Sequence, residues 1–290
     1  VKIQTLSIVC GTAACNARCS FCVSKMTPAN GVELKPQEIN WRNFDVAAKL
    51  ARDGGCSTAM ITSKGEPTLF PDDVTSFVDR SRRNGFPLIE LQTNGIPIWT
   101  HREDWQEHLS NWYWGGLTTV AISVVHHDPE VNRKTYVPYK DAYIDLPGLI
   151  ALLHDVGFAV RLAVVGTKGA IDSWDGLVEM IGFAKANKVE QLTWRPVNAP
   201  EATDNADVQH ACRTLAVPVE NFWKIEHKLT AQATVLLDNP HGMRVYDVNG
   251  QNLALATSLS PPRSNEIRQI IFFPSGRIAY DWCHEGARIL

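Results

Sequence analysis

Six times between residues 1 and 232, a short apolar run rich in Val, Ile, Leu and Thr precedes a segment with helical periodicity, and this alternation limits the fold more than any other feature. The sequence predicts strands at 2–9, 56–62, 88–92, 118–125, 158–165 and 191–197. Helices are expected at 41–52, 71–84, 102–113, 145–156, 173–187 and from 207 to about 231. Asp53-Gly54-Gly55 stops the first of these helices, Pro71-Asp72-Asp73 opens the second and Gly85 closes it. Strands apolar on both faces and joined through helices belong to a parallel sheet with right-handed crossovers and helices outside. Past about residue 239 the pattern changes to short strands at 243–248, 252–256, 268–273 and 276–281, with turn signals at Asn249-Gly250 and Pro274-Ser275-Gly276. The expected organisation is a core over 1–232 and a β-rich extension over 233–290 packed on it, able to cover an opening in the core.

Composition mainly excludes. With 28 basic and 31 acidic residues, a net charge of -3 gives no general attraction for polyanions, so charge does not indicate nucleic acid. The one basic cluster, Arg80, Arg82 and Arg83, falls where a helix ends and complements its dipole. No apolar run approaches the length of a membrane span, and the N-terminus lacks a signal-peptide pattern. Seven cysteines, an odd number with three clustered, do not read as a disulfide framework; a reducing cytoplasmic setting is expected.

The cluster is Cys15-Asn16-Ala17-Arg18-Cys19-Ser20-Phe21-Cys22, on a loop directly after the first strand. Thiolates this close together can converge on one metal centre. A closed zinc site or an ordinary iron–sulfur cluster takes four protein ligands, and no fourth Cys or His follows within ten residues. Three inert buried cysteines, or a zinc loop with a distant fourth ligand, are the alternatives on spacing alone. This spacing, with an aromatic residue just before the last Cys, resembles the signature of the radical S-adenosylmethionine (SAM) superfamily. The pattern is similar to the branch containing the molybdenum-cofactor cyclase, the antiviral nucleotide dehydratase and peptide-modifying enzymes. The resemblance implies a [4Fe-4S] cluster on Cys15, Cys19 and Cys22 whose fourth iron is chelated by SAM. It also implies an α/β fold, an incomplete (β/α)6 TIM-like barrel, with the C-terminal segment as a short β-rich addition.

In such a barrel, chemistry belongs at the C-terminal ends of the strands. After the second strand comes Ser63-Lys64-Gly65-Glu66-Pro67, similar to the family's Gly-Gly-Glu-Pro segment that binds the SAM amino group, with Lys64 in place of the first glycine. A plain strand-to-helix turn is the simpler reading. Gln92-Thr93-Asn94-Gly95 resembles the family's Thr-Asn-Gly, with Asn94 either a ribose contact or a turn residue. By the same resemblance Ser123 and Arg161 would meet the SAM ribose and carboxylate, Phe21 the adenine edge through its backbone, and Val197 the adenine face. Ser123 and Arg161, polar residues in apolar strands, also need partners for their own sake, and a surface salt bridge is the other reading of Arg161.

Substrate residues are less constrained. His126, His127 and Tyr136 fall on the expected functional rim and are candidates for substrate contact or proton transfer, although Asp128 as a helix cap and solvated histidines explain the same residues. Cys283 is a candidate hydrogen donor or ligand. Lys25, Lys168, Arg195 and Asn198 follow or end strands and could meet an anionic substrate. Trp105, Leu109 and Trp112, at i, i+4 and i+7, predict a buried helix face rather than a stacking platform. Cys10 and Cys56 read as small buried hydrophobes. The resemblance implies that an external flavodoxin- or ferredoxin-like donor reduces an oxygen-sensitive cluster. SAM is then cleaved to a 5′-deoxyadenosyl radical that takes hydrogen from a small-molecule or nucleotide-like substrate. Radical modification of a peptide or nucleic-acid base is the alternative within the family, and a non-redox zinc or iron–sulfur binding module is the alternative outside it.

Overall fold

In the computed structural model the described residues are 1–199, 203, 205–239, 243–256 and 266–290. The first half alternates β1 (Lys2–Val9), α1 (Val23–Met26), α2 (Trp41–Asp53), β2 (Thr58–Thr62), α3 (Pro71–Arg83), β3 (Leu88–Thr93), α4 (Ile96–Thr100), α5 (Arg102–Gly115) and β4 (Thr119–Val124). It continues through α6 (Pro129–Tyr136), α7 (Leu146–Val156), β5 (Ala159–Gly166), α8 (Trp174–Ala186), β6 (Gln191–Pro196), α9 (Ala206–Leu215) and α10 (Val219–Gln232). Five strands close the chain: β7 (Thr234–Asp238), β8 (Met243–Val248), β9 (Gln251–Ala256), β10 (Glu266–Phe272) and β11 (Ile278–Ala279).

Strands β1 to β6 lie side by side in sequence order and run parallel, as βαβ crossovers require. Along each, alternate residues turn toward the helices: Leu6 and Ile8, Ile89 and Leu91, Leu192 and Trp194 are fully or almost fully buried. Opposite them α2 presents Phe44, Ala47, Ala48 and Ala51, and α3 presents Val74, Phe77 and Val78. Phe44, Phe77 and Phe272 meet at centroid separations of 5.2 to 6.2 Å with tilted or edge-on planes, the geometry ring quadrupoles favour. Trp105, Leu109 and Trp112 form the buried face of α5, as their spacing predicts.

The C-terminal strands extend the same sheet on both sides. β10 pairs parallel with β1, and β9 pairs parallel with β6, so eight parallel strands stand in the order β10-β1-β2-β3-β4-β5-β6-β9. Antiparallel β8 and β7 follow β9 at one edge, and β11 lies at the other. The β8–β9 turn is made by Asn249 and Gly250, both at positive φ, as that dipeptide predicts.

Several expectations change. The long helix expected over 207–231 is two helices, because Pro218 offers no backbone N–H to continue α9 and sits instead at the start of α10. β7 escapes the hydropathy pattern because all five of its side chains are exposed on an edge strand. The strand expected over 276–281 shrinks to Ile278–Ala279, since Phe273 to Arg277 is a tight turn closed by Phe273 N–H donating to the Arg277 carbonyl at 3.0 Å. Among the described residues, no helix is long and apolar enough to cross a membrane.

Gly182 lies inside α8 with no atom within 4 Å of where a Cβ would stand. Gly182→Ala is therefore expected to stabilise the protein by about 0.5–1 kcal/mol through reduced unfolded-chain entropy, read as a thermal midpoint about 2 °C higher.

Candidate active site

The cysteine loop leaves the C-terminal end of β1 and is fastened on two sides. On one side it meets the turn after β2: Glu66 N–H donates to the Ala14 carbonyl at 2.9 Å, and the Ser63 hydroxyl donates to the Thr12 carbonyl at 3.2 Å. Gly65 lies between them, so close that a Cβ there would stand 1.9 Å from the Ala14 carbonyl oxygen. Only glycine lets the two backbones approach this far. On the other side the segment after α6 clasps the loop. Arg18 N–H donates to the Tyr136 carbonyl at 2.9 Å, Tyr139 N–H donates to the Asn16 carbonyl at 3.0 Å, and Ala17 and Pro138 form an isolated antiparallel bridge. Phe21 is buried with its ring edge-on to Tyr136 at 6.1 Å.

All three thiols are half-buried and unbridged. Cys19 Sγ lies 3.8 Å from the Tyr136 carbonyl and Cys15 Sγ 3.9 Å from Asn16 Oδ1. Burial pushes the Cys15 thiol up to about 11, and burial together with the neighbouring Cys22 and Cys15 thiols pushes Cys19 up to about 12. Such thiols ionise only against a positive centre. Among the described residues, no group of three or more His, Cys, Asp and Glu side chains is set to hold a metal ion. A four-iron cluster asks for something else, thiols spread around a cube and sharing one desolvated pocket. Three mutually coupled thiols on one loop, reaching solvent but not saturated by a fourth ligand, fit that donor set.

Glu66 ties the neighbouring strand ends together. It is 3% exposed; Oε1 accepts from Thr68 N at 3.1 Å, from the Thr68 hydroxyl at 2.7 Å and from the Thr93 hydroxyl at 2.6 Å, while Oε2 accepts from Asn94 N at 2.9 Å. Burial pushes its carboxyl up and the four donors hold it back. The carboxylate expected to take the SAM ammonium is thus already committed to four donors at the tips of β2 and β3, and it acts first as the brace of the site. Glu66→Gln, which substitutes a donor for one acceptor atom in this brace, is expected to cost about 2 kcal/mol. Differential scanning calorimetry should show a midpoint lower by about 5 °C. Pro67 starts the 3-10 turn Pro67–Leu69 beneath it.

Asn94 donates from Nδ2 to Asn16 Oδ1 at 2.7 Å and accepts from Ile96 N at 3.0 Å, so it links the tip of β3 to the cysteine loop while Gly95, at φ 71, turns the chain into α4. The turn reading of this dipeptide therefore has a physical basis. Ser123 is half-buried on β4 and Val197 is buried just past β6. Arg161, expected at the SAM carboxylate, instead forms an ion pair with Glu90 of β3; it is the third residue of β5, five residues below that strand's C-terminal end.

The remaining candidates separate. His126 and His127 stack on each other at 4.3 Å, and His127 stacks on Phe183 of α8 at 5.6 Å, which puts the pair against a helix. His126 Nδ1 accepts from Asp128 N at 2.9 Å, and Asp128 caps α6. Tyr136 is adjacent to the cysteines, with a buried hydroxyl lacking a partner. Lys25, Lys168 and Asn198 are exposed. Cys283 is exposed, and its thiol is pushed up by burial and by Asp281, with Lys64 opposing.

Lys64, the departure from the family's first glycine, and several neighbours in the site gain contacts that the sequence does not specify. Lys64 is 7% exposed, donates to the Thr27 hydroxyl, lies over the Trp282 ring at 5.5 Å, and is lowered to about 8 by burial. Thr93, within the Thr-Asn-Gly segment, and Asn16, within the cysteine motif, act here as partners of Glu66 and Asn94. Tyr143, whose ring lies 6.3 Å from that of Tyr136, carries a second buried hydroxyl without a partner.

Comparison with known proteins agrees with this geometry. A family model described as the radical SAM superfamily matches residues 9–181. The molybdenum cofactor biosynthesis protein moc-5 of Caenorhabditis elegans is 28% identical over 186 residues, covering 63% of this chain and 28% of that protein. The probable GTP 3′,8-cyclase of Methanothermobacter thermautotrophicus is 28% identical over 167 residues, covering 57% of this chain and 50% of that protein. The chain thus spans half or less of the length of these curated relatives. Among solved structures, native anSMEcpe with bound AdoMet superposes with a TM-score of 0.62 at 12% identity, over 98% of this chain and 77% of that one. Methylornithine synthase (PylB) gives 0.54 at 14% identity, over 91% and 74%. At such identity the likeness is one of fold.

Proposed function

The chain belongs to the radical SAM superfamily, and from that premise we propose that Cys15, Cys19 and Cys22 hold a [4Fe-4S] cluster and that the protein is a SAM-cleaving enzyme acting on a small-molecule or nucleotide-like substrate. The observation that carries this reading is the fastening of a three-thiol loop, through Gly65, Glu66 and Asn94, to the C-terminal ends of β2 and β3. When bound, the cluster supplies the electron, delivered by an external flavodoxin- or ferredoxin-like donor, that splits SAM into methionine and a 5′-deoxyadenosyl radical able to take hydrogen from substrate.

The protein's own residues bind, orient and exclude. Cys15, Cys19 and Cys22 are the cluster ligands, and the positive centre they hold keeps them ionised. Glu66 fixes the turn whose backbone faces the loop, with Gly65 and Pro67 shaping it and Asn94 joining it to β3. Phe21, Ser123 and Val197 are proposed SAM contacts by position; Arg161, committed to Glu90, is reassigned below. Phe21 and Tyr136 pack the cysteine loop against α6 and keep water from its inner side. Tyr136 is the substrate-side candidate this arrangement favours, and Cys283 remains a candidate hydrogen donor. Residues 1–232 are taken as the catalytic core and 233–290 as the β-rich extension beside it.

The test is anaerobic reconstitution with iron and sulfide, followed by reductant and SAM. About four irons per chain and release of 5′-deoxyadenosine are expected, the number following from a [4Fe-4S] cluster. Zinc retained in place of iron, with no measurable SAM affinity, would overturn the reading in favour of a binding module.

A further inference from the structure

The concave face of the sheet, turned away from the helices, carries charge that the cysteine site does not use. On β6, Leu192 and Trp194 face the helices, Trp194 stacking on Phe222 at 6.1 Å and donating from Nε1 to the Ile171 carbonyl at 3.0 Å. Alternation therefore turns Thr193 and Arg195 to the concave face. On β5, Val160, Leu162 and Val164 are buried on the helix side, so Arg161 shares that face with Arg195. Glu90, between the buried Ile89 and Leu91 of β3, completes the group. Arg161 reaches Glu90 across β4, where the intervening residue is the small Ala121, opposite both Gln92 and Arg161 in the ladder.

Two guanidiniums thus face one carboxylate. Glu90 is taken by Arg161 and also accepts from Gln92 at 3.2 Å, yet Arg161 Nε remains buried without a partner. Arg195 makes no hydrogen bond or ion pair among the described residues. The Arg195 side chain is exposed to solvent. Desolvation by the protein around it, and the positive charges of Arg268 and Arg161 near it, lower it to about 10. A solvent-reachable guanidinium beside a second cation, with no side-chain partner of its own among the described residues, is placed to hold an oxyanion that accepts two of its N–H groups side by side. Its position helps, because Arg195 is the fifth residue of β6, near the end of the sheet where the cysteine loop sits, while Arg161 and Glu90 lie deeper.

We propose that Arg195, with Arg161 held beneath it by Glu90, is the receptor for a carboxylate or phosphate carried by the substrate, so that the concave face admits an anionic small molecule. The inference rests on the function proposed above for what is done to that molecule, but binding can be read without turnover. The protein is titrated calorimetrically with inorganic phosphate, with succinate and with SAM, for wild type, Arg195→Gln and Arg195→Lys. Wild type should bind one of the two anions, and which one it prefers separates phosphate from carboxylate chemistry. Arg195→Gln should weaken that binding about tenfold or more, the worth of a charge-assisted bidentate contact, and Arg195→Lys should recover part of it. SAM binding should be unchanged in both variants. Binding of neither anion by wild type, or equal binding by Arg195→Gln, overturns the proposal. A parallel loss of SAM affinity also overturns it and reassigns Arg195 to the SAM carboxylate. Release of 5′-deoxyadenosine, measured separately on the same preparations, judges the radical reading independently.

Discussion

Cys19→Ala protein, reconstituted anaerobically beside wild type, is expected to lose the visible absorption of the cluster and to release 5′-deoxyadenosine only at background. Cys19 is the middle ligand of the proposed set and the one whose thiol is pushed furthest from ionisation by its surroundings, up to about 12. Its sulfur carries no structural hydrogen-bond network beyond a long contact with the Tyr136 carbonyl at 3.8 Å. Alanine should therefore remove the ligand and leave the fold, costing no more than about 1–2 kcal/mol of packing. Cys283→Ala is the control: an exposed thiol outside the loop, whose loss should leave iron content unchanged. Cluster retained in Cys19→Ala with iron equal to wild type would refute the assignment of the ligands.

Gly65→Ala should damage the same site from the opposite side. The added methyl meets the Ala14 carbonyl oxygen at 1.9 Å, with the Ala14 and Ala13 carbonyl carbons at 2.5 and 2.8 Å, and none of these backbone atoms can rotate away as a side chain would. The two loops must separate, which stretches the bond from Glu66 N–H to Ala14 and pulls the Glu66 brace off the tip of β3. The expected cost is about 2–4 kcal/mol, overpacking plus a lost buried hydrogen bond, or a thermal midpoint lower by about 5–10 °C. Iron uptake should fall with it. A Gly65→Ala protein that melts and loads iron as wild type does would show that the loops are not in this register.

The parallel core was legible because each crossover repeats one local rule, a two-residue period followed by a 3.6-residue period with Gly or Pro at the joints. The cysteine motif was legible from its spacing, and the segments after β2 and β3 through their resemblance to the family's; folding brings Gly65, Glu66 and Asn94 against the cysteine loop. Pairings made by folding were not legible. No local signal pairs Thr93 with Glu66 across 27 positions, or Glu90 with Arg161 across 71. The need of Arg161 for a partner was legible, and a salt bridge was one of its two readings, but nothing local named Glu90 as that partner. Asp128 was legible as a cap, as the start of α6 bears out, but the extent of α6 was not, because its helical face is short and marked mainly by Asn132 and Tyr136. The joining of β9 and β10 to opposite flanks of the parallel set has no local signal, since nothing in either run specifies which older strand it will lie against.

That last pairing bears on when the protein can mature in the cell. β1, which launches the cysteine loop, has β2 on one side and β10 on the other, with Ser7 donating to the Gln269 side chain at 3.0 Å and Gln4 to Glu266 at 3.0 Å, each across 262 residues. Contacts this distant in the chain form late and slowly. On a ribosome adding about 5–20 residues per second, β1 waits more than ten seconds for its second neighbour to be made. The strand that launches the cysteine loop is thus made long before β10 can flank it, so iron and sulfide should be delivered only after β10 has been synthesised.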